Sequence, residues 1–511
     1  MTALTPTQEQ EACLDHFAAA RSLAIQALAG TGKSSTLCMI AEATPKPVQF
    51  VAFNKAVIGD IGPKLPSNAT ASTMHSLAFR AVGRRFADRL NGERMSSDRL
   101  ARLLGVGPFH YRAQGVDAVL QPAKLASLAI QSATSFCYSA DPEPSTRHVP
   151  KVEGIDWADE SGRRTWENNH RLASHLLPFV HKVWEDWQDS HGGLPYRHDA
   201  YVKVWEQTSP VIPAEVVLYD EAQDANGVFV SILRQQTGRQ LVIVGDRYQQ
   251  LYSWRGSISS FDLFDLDASA WLTQSFRFGD AIAEAGNAVL GVLGAEVEIR
   301  GTSSIPSTVE AVARPDCELY RSNAGAVTAL LEHQKAGRSV HMVGSAGQDV
   351  VRFARASEEL EQRGRTSHPD LACFTTWNQV IEYVQVDPLG SELKLMVRLV
   401  QSYGADVIIK ALDRMPAESA AEVIVSTAHQ SKGRQWPTVK LGGDFAVPSE
   451  DAAGEWRLLY VAATRPQLTL DTTMCEPLLD LRHADGGNDD VEHAELIVGD
   501  ALVDGTIQPA P

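Results

Sequence analysis

The sequence predicts an α/β fold, with two parallel-sheet domains in tandem and a mainly helical insertion in each. Three observations carry this. Short apolar stretches recur, each closed by polar turn residues, and helical periodicity fills the gaps between them. These stretches fall into two sets, one before and one after residue 270 or so. Each set is broken by a strand-poor, helix-rich block. With 511 residues, the chain is also too long for a single ordinary core.

In chain order, the first set of strands is expected at Ser22–Gln26, Val48–Phe53, Glu215–Tyr219 and Gln240–Val244. The second is expected at Glu318–Tyr320, His341–Val343, Glu422–Ser426 and Thr438–Gly442. Their near-continuous apolar character suits strands covered on both faces. The first domain is therefore expected to comprise 1–85 and 211–270, with a helical insertion over 86–210. Within that insertion, Arg171–Ser190 places Leu172, Leu176, Phe179, Val180, Val183, Trp184 and Trp187 on one helical face. The second domain is expected over 271–350 and 421–477, with a short helical insertion over 351–420. From 478 to 511 the sequence turns acidic and rich in Gly and Asp, which predicts a flexible tail.

An apolar fraction of 44% and a charged fraction of 21% are those of a soluble globular protein. No uninterrupted run of about 18 apolar residues exists, so no membrane span is expected. The opening MTALTPTQEQ lacks the basic and apolar regions of a secretion signal, and a cytoplasmic location is expected. The six cysteines are scattered without a CxxC pair, which argues against a zinc site or a disulfide framework. The net charge of −17 is unevenly spread. Residues 80–102 carry Arg80, Arg84, Arg85, Arg89, Arg94, Arg99 and Arg102. Salt screens the global field within about 10 Å, so local patches decide phosphate binding. A helix face paired with Asp and Glu is the plainer reading of that arginine stretch, and a duplex-contact surface the sharper one.

ALAGTGKSS (Ala27–Ser35) follows an expected strand and opens a helix. This is a phosphate-binding loop, with Ala27 in place of the usual first glycine. Gly30, Thr31 and Gly32 let backbone N–H groups close on phosphate oxygens. Lys33 reaches the terminal phosphates and Ser34 supplies a hydroxyl to Mg²⁺. VVLYDEAQD (Val216–Asp224) delivers Asp220 and Glu221 at the end of an apolar strand. Asp220 suits Mg²⁺ and Glu221 suits activation of an attacking water. A DE pair alone is usually a solvated strand end, but beside a phosphate loop it reads as the second half of a nucleotide hydrolase. ATP and Mg²⁺ are the cofactors this combination calls for.

VGDRYQQLYSWRG (Val244–Gly256) then places two amides, two large aromatics and an arginine directly after a core strand. With DEAQD, it resembles the UvrD/Rep/PcrA-type superfamily 1 DNA helicases. The resemblance runs in order through most of the chain. LTPTQ (Leu4–Gln8) is similar to the adenine-reading motif, with Gln8 on the base edge. FNKA (Phe53–Ala56) and TMHSLA (Thr73–Ala78) resemble two DNA-backbone motifs, implying contacts from Asn54, Lys55, Thr73 and His75. QSFRF (Gln274–Phe278) resembles the motif in which Phe276 stacks on adenine and Arg277 reaches the γ-phosphate. LYRSN (Leu319–Asn323), STAHQSKGRQW (Ser426–Trp436) and EWRLLYVAATR (Glu455–Arg465) complete the set, with Arg465 as arginine finger and His429 facing DNA or capping locally.

The wording of FNKA, HDAYVKVWEQTSP and QQLYSWRG is closest to the F-box DNA helicase branch. With the ATPase motifs starting near residue 4, no F-box is expected, and a ubiquitin-ligase role does not carry over. Ser35 replaces the adenine-stacking arginine of many relatives, leaving stacking to Phe276. Gln435 and Arg434 replace the usual glutamate and leucine.

The resemblance implies two RecA-like P-loop domains around one ATP and a 3′→5′ translocase or helicase on single-stranded DNA and its junctions with duplex. DNA-repair or replication proteins are the implied partners. Gln249 is assigned to the γ-phosphate side, and Tyr252 and Trp254 to base stacking. The alternative is a non-unwinding single-stranded-DNA translocase, or a nucleotide-switched remodeller that strips proteins from DNA.

Overall fold

A computed structural model describes residues 5–19, 21–52, 55–92, 95–113, 115–156, 165–251, 260–264, 266–366, 368, 370–371, 374–386, 392–447 and 452–485. The strands are β1 (Leu23–Ala27), β2 (Val48–Ala52), β3 (Ala69–Thr73), β4 (Phe109–Ala113), β5 (Val116–Leu120), β6 (Val216–Tyr219) and β7 (Gln240–Gly245). They continue as β8 (Ala268–Leu272), β9 (Thr308–Val309), β10 (Cys317–Tyr320), β11 (Val340–Met342), β12 (Val423–Thr427), β13 (Trp436–Leu441) and β14 (Pro466–Asp471).

Two six-stranded sheets result. The first runs β3-β2-β6-β7-β1-β8 and the second β11-β12-β10-β13-β14-β9. Every pairing within them is parallel. The α/β class and the doubling of the sheet are as the sequence predicts. β2 and β6 are buried at every position, as a strand covered by helices on both faces must be. β1 sits between β7 and β8, so the segments leaving β1, β6 and β7 all emerge at the carboxyl edge of one sheet. Open parallel sheets bind ligands along that edge.

The block between β3 and β6 is largely helical, with one β4-β5 hairpin. Its long helix Glu167–Gln188 buries Leu172, Leu176, Val180, Val183, Trp184 and Trp187, and Phe179 packs at the margin. The second block consists, among the described residues, of the helices Ala346–Arg363, Trp377–Val386, Glu392–Tyr403 and Ala405–Asp413. They share a core with β11 and β12 through Phe353, Leu360, Tyr383 and Val397.

Two expectations need correction. Residues 478–485, read as flexible tail, lie in a helix, Glu476–Asp485, whose Leu478 is fully buried. Its apolar contacts come from the distant helix Asp280–Val292, so local composition misleads there. In addition, β3, β8 and β14 went unread. ATAST and ASAWL are small-residue edge strands with half-exposed faces, and PQLTLD opens on a proline.

The halves are joined by an apolar core as well as by the chain. Leu28 and Ala29 of the phosphate loop, with Tyr248 and Leu251 after β7, pack into the core that holds Phe278, Ile282, Trp456 and Tyr460 of the second half. Among the described residues, no helix is long and apolar enough to cross a membrane.

Candidate nucleotide site between two sheets

The phosphate loop links β1 to the helix Lys33–Glu42. Gly30 and Gly32 have φ of 75° and 79°, a left-handed backbone that glycine adopts without strain. Gly30 is also hemmed in from the second half. A Cβ there would stand 2.5 Å from Ser275 Oγ and 2.7 Å from Arg277 Cβ. The Phe276 amide donates to the Gly30 carbonyl at 2.9 Å, and the Ala29 amide donates to the Tyr460 hydroxyl at 3.2 Å. The cleft is thus closed, with the second half seated on the loop.

The Ser34 hydroxyl donates to Asp220 Oδ2 at 3.3 Å. Burial, and then repulsion from Glu221, push the Asp220 carboxyl up to about 7. Burial also works against ionising Glu221. Lys33, Lys432, the Gln223 amide and Arg465 outweigh it and hold that carboxyl below its ordinary range. Glu221 has φ 55°, an uncommon conformation for a side-chain-bearing residue and one found at functional sites. A hydroxyl beside a buried carboxylate oxygen is a hard-oxygen donor set, which fits Mg²⁺. Among the described residues, no cluster of three or more His, Cys, Asp or Glu side chains offers a rival metal site.

At the end of β7, Asp246 is buried and its carboxyl is raised by that burial. Gln249 donates to Asp246 Oδ2 at 2.7 Å and accepts from Arg465 Nη2 at 3.4 Å. It therefore bridges an acid of the first half and a cation of the second. Arg465 is 1% exposed, and burial, with Arg277 adding repulsion, lowers its guanidinium to about 9. Arg277 donates to the Thr464 carbonyl at 2.8 Å and to Gln435 Oε1 at 3.0 Å. Gln435 thus gives Arg277 an uncharged partner.

Lys33, Ser34, Asp220, Glu221, Gln249, Arg277 and Arg465 therefore converge. Phe276 is half exposed beside Gly32, and Ser35 is exposed. Thr31 is buried, its hydroxyl donating to the Leu28 carbonyl at 2.8 Å. Gln8 is exposed at the start of its helix. The glutamine turned toward the loop is Gln10, whose amide donates to Thr36 at 3.1 Å. Arg457 donates to the Gln250 side chain at 3.5 Å.

The expected DNA contacts are less uniform. Thr73 is buried, and its hydroxyl caps the helix Met74–Ala81 by accepting from the Ser76 amide. His75 pairs with Asp199 at 3.1 Å. His429 is partly buried, its ring pushed toward the neutral form by burial and then by Arg321. Asn54, Tyr252 and Trp254 lie outside the described residues, as does the side chain of Lys55.

An AAA domain family profile matches residues 9–255. The chain is 28% identical over 496 residues to F-box DNA helicase protein 1 of Schizosaccharomyces pombe, an alignment covering 88% of this chain and 55% of that protein. It is 26% identical over 514 residues to F-box DNA helicase 1 of Gallus gallus, covering 91% of this chain and 48% of that protein. Along most of its length, the chain is similar to proteins named F-box DNA helicases. It spans about half the length of these curated relatives.

Three residues of this site escaped the sequence reading. Gln223 donates to Glu221 and accepts the Asp246 amide at 3.0 Å. It packs so tightly on Gly245 that a Cβ there would stand 2.1 Å from its Oε1. Asp224 is buried, and Lys432 from the second half donates to it and, at 2.7 Å, to the Gln249 carbonyl. DEAQD hinted at Gln223 and Asp224. Lys432 has only its place in SKG as a signal.

Proposed function

We propose that this chain hydrolyses ATP in the cleft between its two sheets and couples closure of that cleft to stepping along single-stranded DNA, with 3′→5′ polarity and unwinding of duplex at junctions. The observation that carries this reading is Gln249, held between Asp246 of one half and Arg465 of the other. A γ-phosphate arriving there would be read by both halves at once. Phosphoryl transfer is mostly electrostatic positioning, and an arginine finger contributes about 10³–10⁵ in rate.

The roles divide by side chain. Lys33 and the loop amides bind phosphate oxygens. Glu221, kept ionised, accepts the proton of the attacking water, and Gln223 holds its carboxylate in place. Arg277 and Arg465 supply positive charge only when the cleft is closed. Ser34 and Asp220 would hold Mg²⁺, which supplies charge neutralisation on the phosphates when bound. Loss of the γ-phosphate removes the counter-charge to one buried and one partly buried arginine, favours opening, and changes the distance between two DNA grips.

The test is ATPase turnover with no nucleic acid, with single-stranded DNA and with RNA, followed by strand displacement on tailed duplexes. Strong stimulation by single-stranded DNA and displacement from 3′ tails are expected. Turnover indifferent to nucleic acid overturns the proposal. Among the described residues the second insertion is helical and short, which keeps protein stripping without unwinding as a second reading. Displacement of a bound protein roadblock without duplex separation would favour it.

A further inference from the structure

Three cavities of about 700, 910 and 900 Å³ adjoin one another from β3 across the first insertion. Leu90 lines the first and third, while Ile130, Gln131 and Arg197 line the second and third. They form one groove. It begins at Thr73, His75 and Ser76, and continues along the helix Pro122–Cys137.

In a chain of net charge −17, this groove is basic. Arg80, Arg89, Arg99, Arg147 and Arg197 line it, against Asp141 and Asp199. Both aspartates are already engaged. Asp141 pairs with Arg147 and His148, while Asp199 pairs with His75 and accepts from the Tyr138 hydroxyl. Arg89 is committed to Asp186. Arg99 and Arg197 are exposed and have no carboxylate within ion-pairing distance among the described residues. Ser76, Thr134, Ser135, Tyr138 and Tyr201 line the same walls, adding hydroxyls and rings to these charges.

We propose that this groove is a second binding site, one that carries a single nucleic-acid strand beyond Thr73 and His75 over the first insertion, with Arg99 and Arg197 on its phosphates. Unpaired cations beside hydroxyls and rings are what a sequence-tolerant single-strand track needs. The proposal rests on the DNA-binding reading above and extends it to residues outside the helicase-like motifs.

The experiment is equilibrium binding of fluorescent oligothymidylates of increasing length to the full chain, at several salt concentrations. The variants are Arg99→Gln/Arg197→Gln and, as control, Arg84→Gln/Arg102→Gln. The control arginines are exposed on the same basic stretch but do not line the groove. Each neutralised phosphate contact contributes about 0.7 to the slope of log K against log salt for a single strand. The groove variant should lose about 1.4 in slope on long oligomers and little on the shortest that bind, and the control should match wild type. Equal slopes for wild type and groove variant, an equal loss in the control, or a loss seen only with blunt duplex overturns the proposal. If the wild-type chain binds no oligomer, the DNA-binding reading fails along with it.

Discussion

Lys432 offers the sharpest test of how the two halves hold each other. Its side chain is 10% exposed, and its ammonium sits between the fully buried Asp224 carboxylate and the Gln249 carbonyl, both from the other half. Lys432→Met leaves Asp224 buried without its cation. Removing one member of a buried pair costs about 3–5 kcal/mol. This chain can escape that cost by opening the cleft and letting water reach Asp224, so the loss falls on the closed state. At about 3 kcal/mol, the closed population drops by about 10², and ATPase kcat/KM at saturating single-stranded DNA should drop equally. Asp224→Asn alone removes the buried charge and should cost about tenfold. In the double variant the penalty on Lys432→Met largely disappears, leaving activity near that of Asp224→Asn.

Proton linkage gives a second handle on the same pair. Burial, only partly offset by Lys432, raises Asp224 to about 6. A carboxyl raised above its ordinary value of about 3.9 is protonated in the closed form over a window where the hydrated form is ionised. It therefore favours closure at low pH and opposes it as pH rises through 6. Without Lys432 that rise is larger. The ratio of wild-type to Lys432→Met activity should be greatest at pH 8 and shrink toward pH 6, and taking the ratio at each pH removes titrations common to both proteins. Additive losses in the double variant, near 10³, together with a pH-independent ratio would refute the reasoning.

Glu221→Gln keeps the shape of the site but cannot take a proton; turnover should fall by about 10²–10⁴ while binding of a fluorescent ATP analogue persists. Turnover within threefold of wild type would remove Glu221 from the base role. Gln249→Ala leaves Asp246 and Arg465 buried without their shared amide, costing about 1–3 kcal/mol, and should sharply reduce DNA stimulation of the ATPase. Gln250→Ala, which leaves the Asp246–Gln249–Arg465 bridge in place, should do much less, and equal effects would reverse the assignment. Gly30→Ala places a Cβ against Ser275 and Arg277 at a left-handed backbone position. Small-angle scattering should show a larger radius of gyration than wild type, and an unchanged radius with full activity would mean the seated second half is not the active arrangement.

What could be read from the sequence was whatever the backbone itself demands. A left-handed turn that must close on phosphate requires Gly30 and Gly32 and a helix opening on Lys33, so ALAGTGKSS is informative without its surroundings. A buried parallel strand ending in DE is equally local. The expected strands differ from the observed ones by one or two residues at their ends, where the last turn or bridge depends on a neighbour absent from the local pattern. The unread β3 shows the same limit, because half its positions are held by pairing with β2 alone and carry no apolar signal.

The contacts that close the cleft are the opposite case. Lys432 meets Asp224 across 208 positions of sequence, Arg465 meets Gln249 across 216, and Tyr460 meets Ala29 across 431. No periodicity or turn chemistry encodes such pairs. The turn after β7 shows why they matter together. Its Tyr248 and Leu251 are anchored in the core of the other half, its Gln249 amide lies against Arg465, and its Gln249 carbonyl receives Lys432. One short segment is thereby fixed to the second half by apolar packing, by a neutral hydrogen bond and by a cation. A movement of the second half cannot leave it in place.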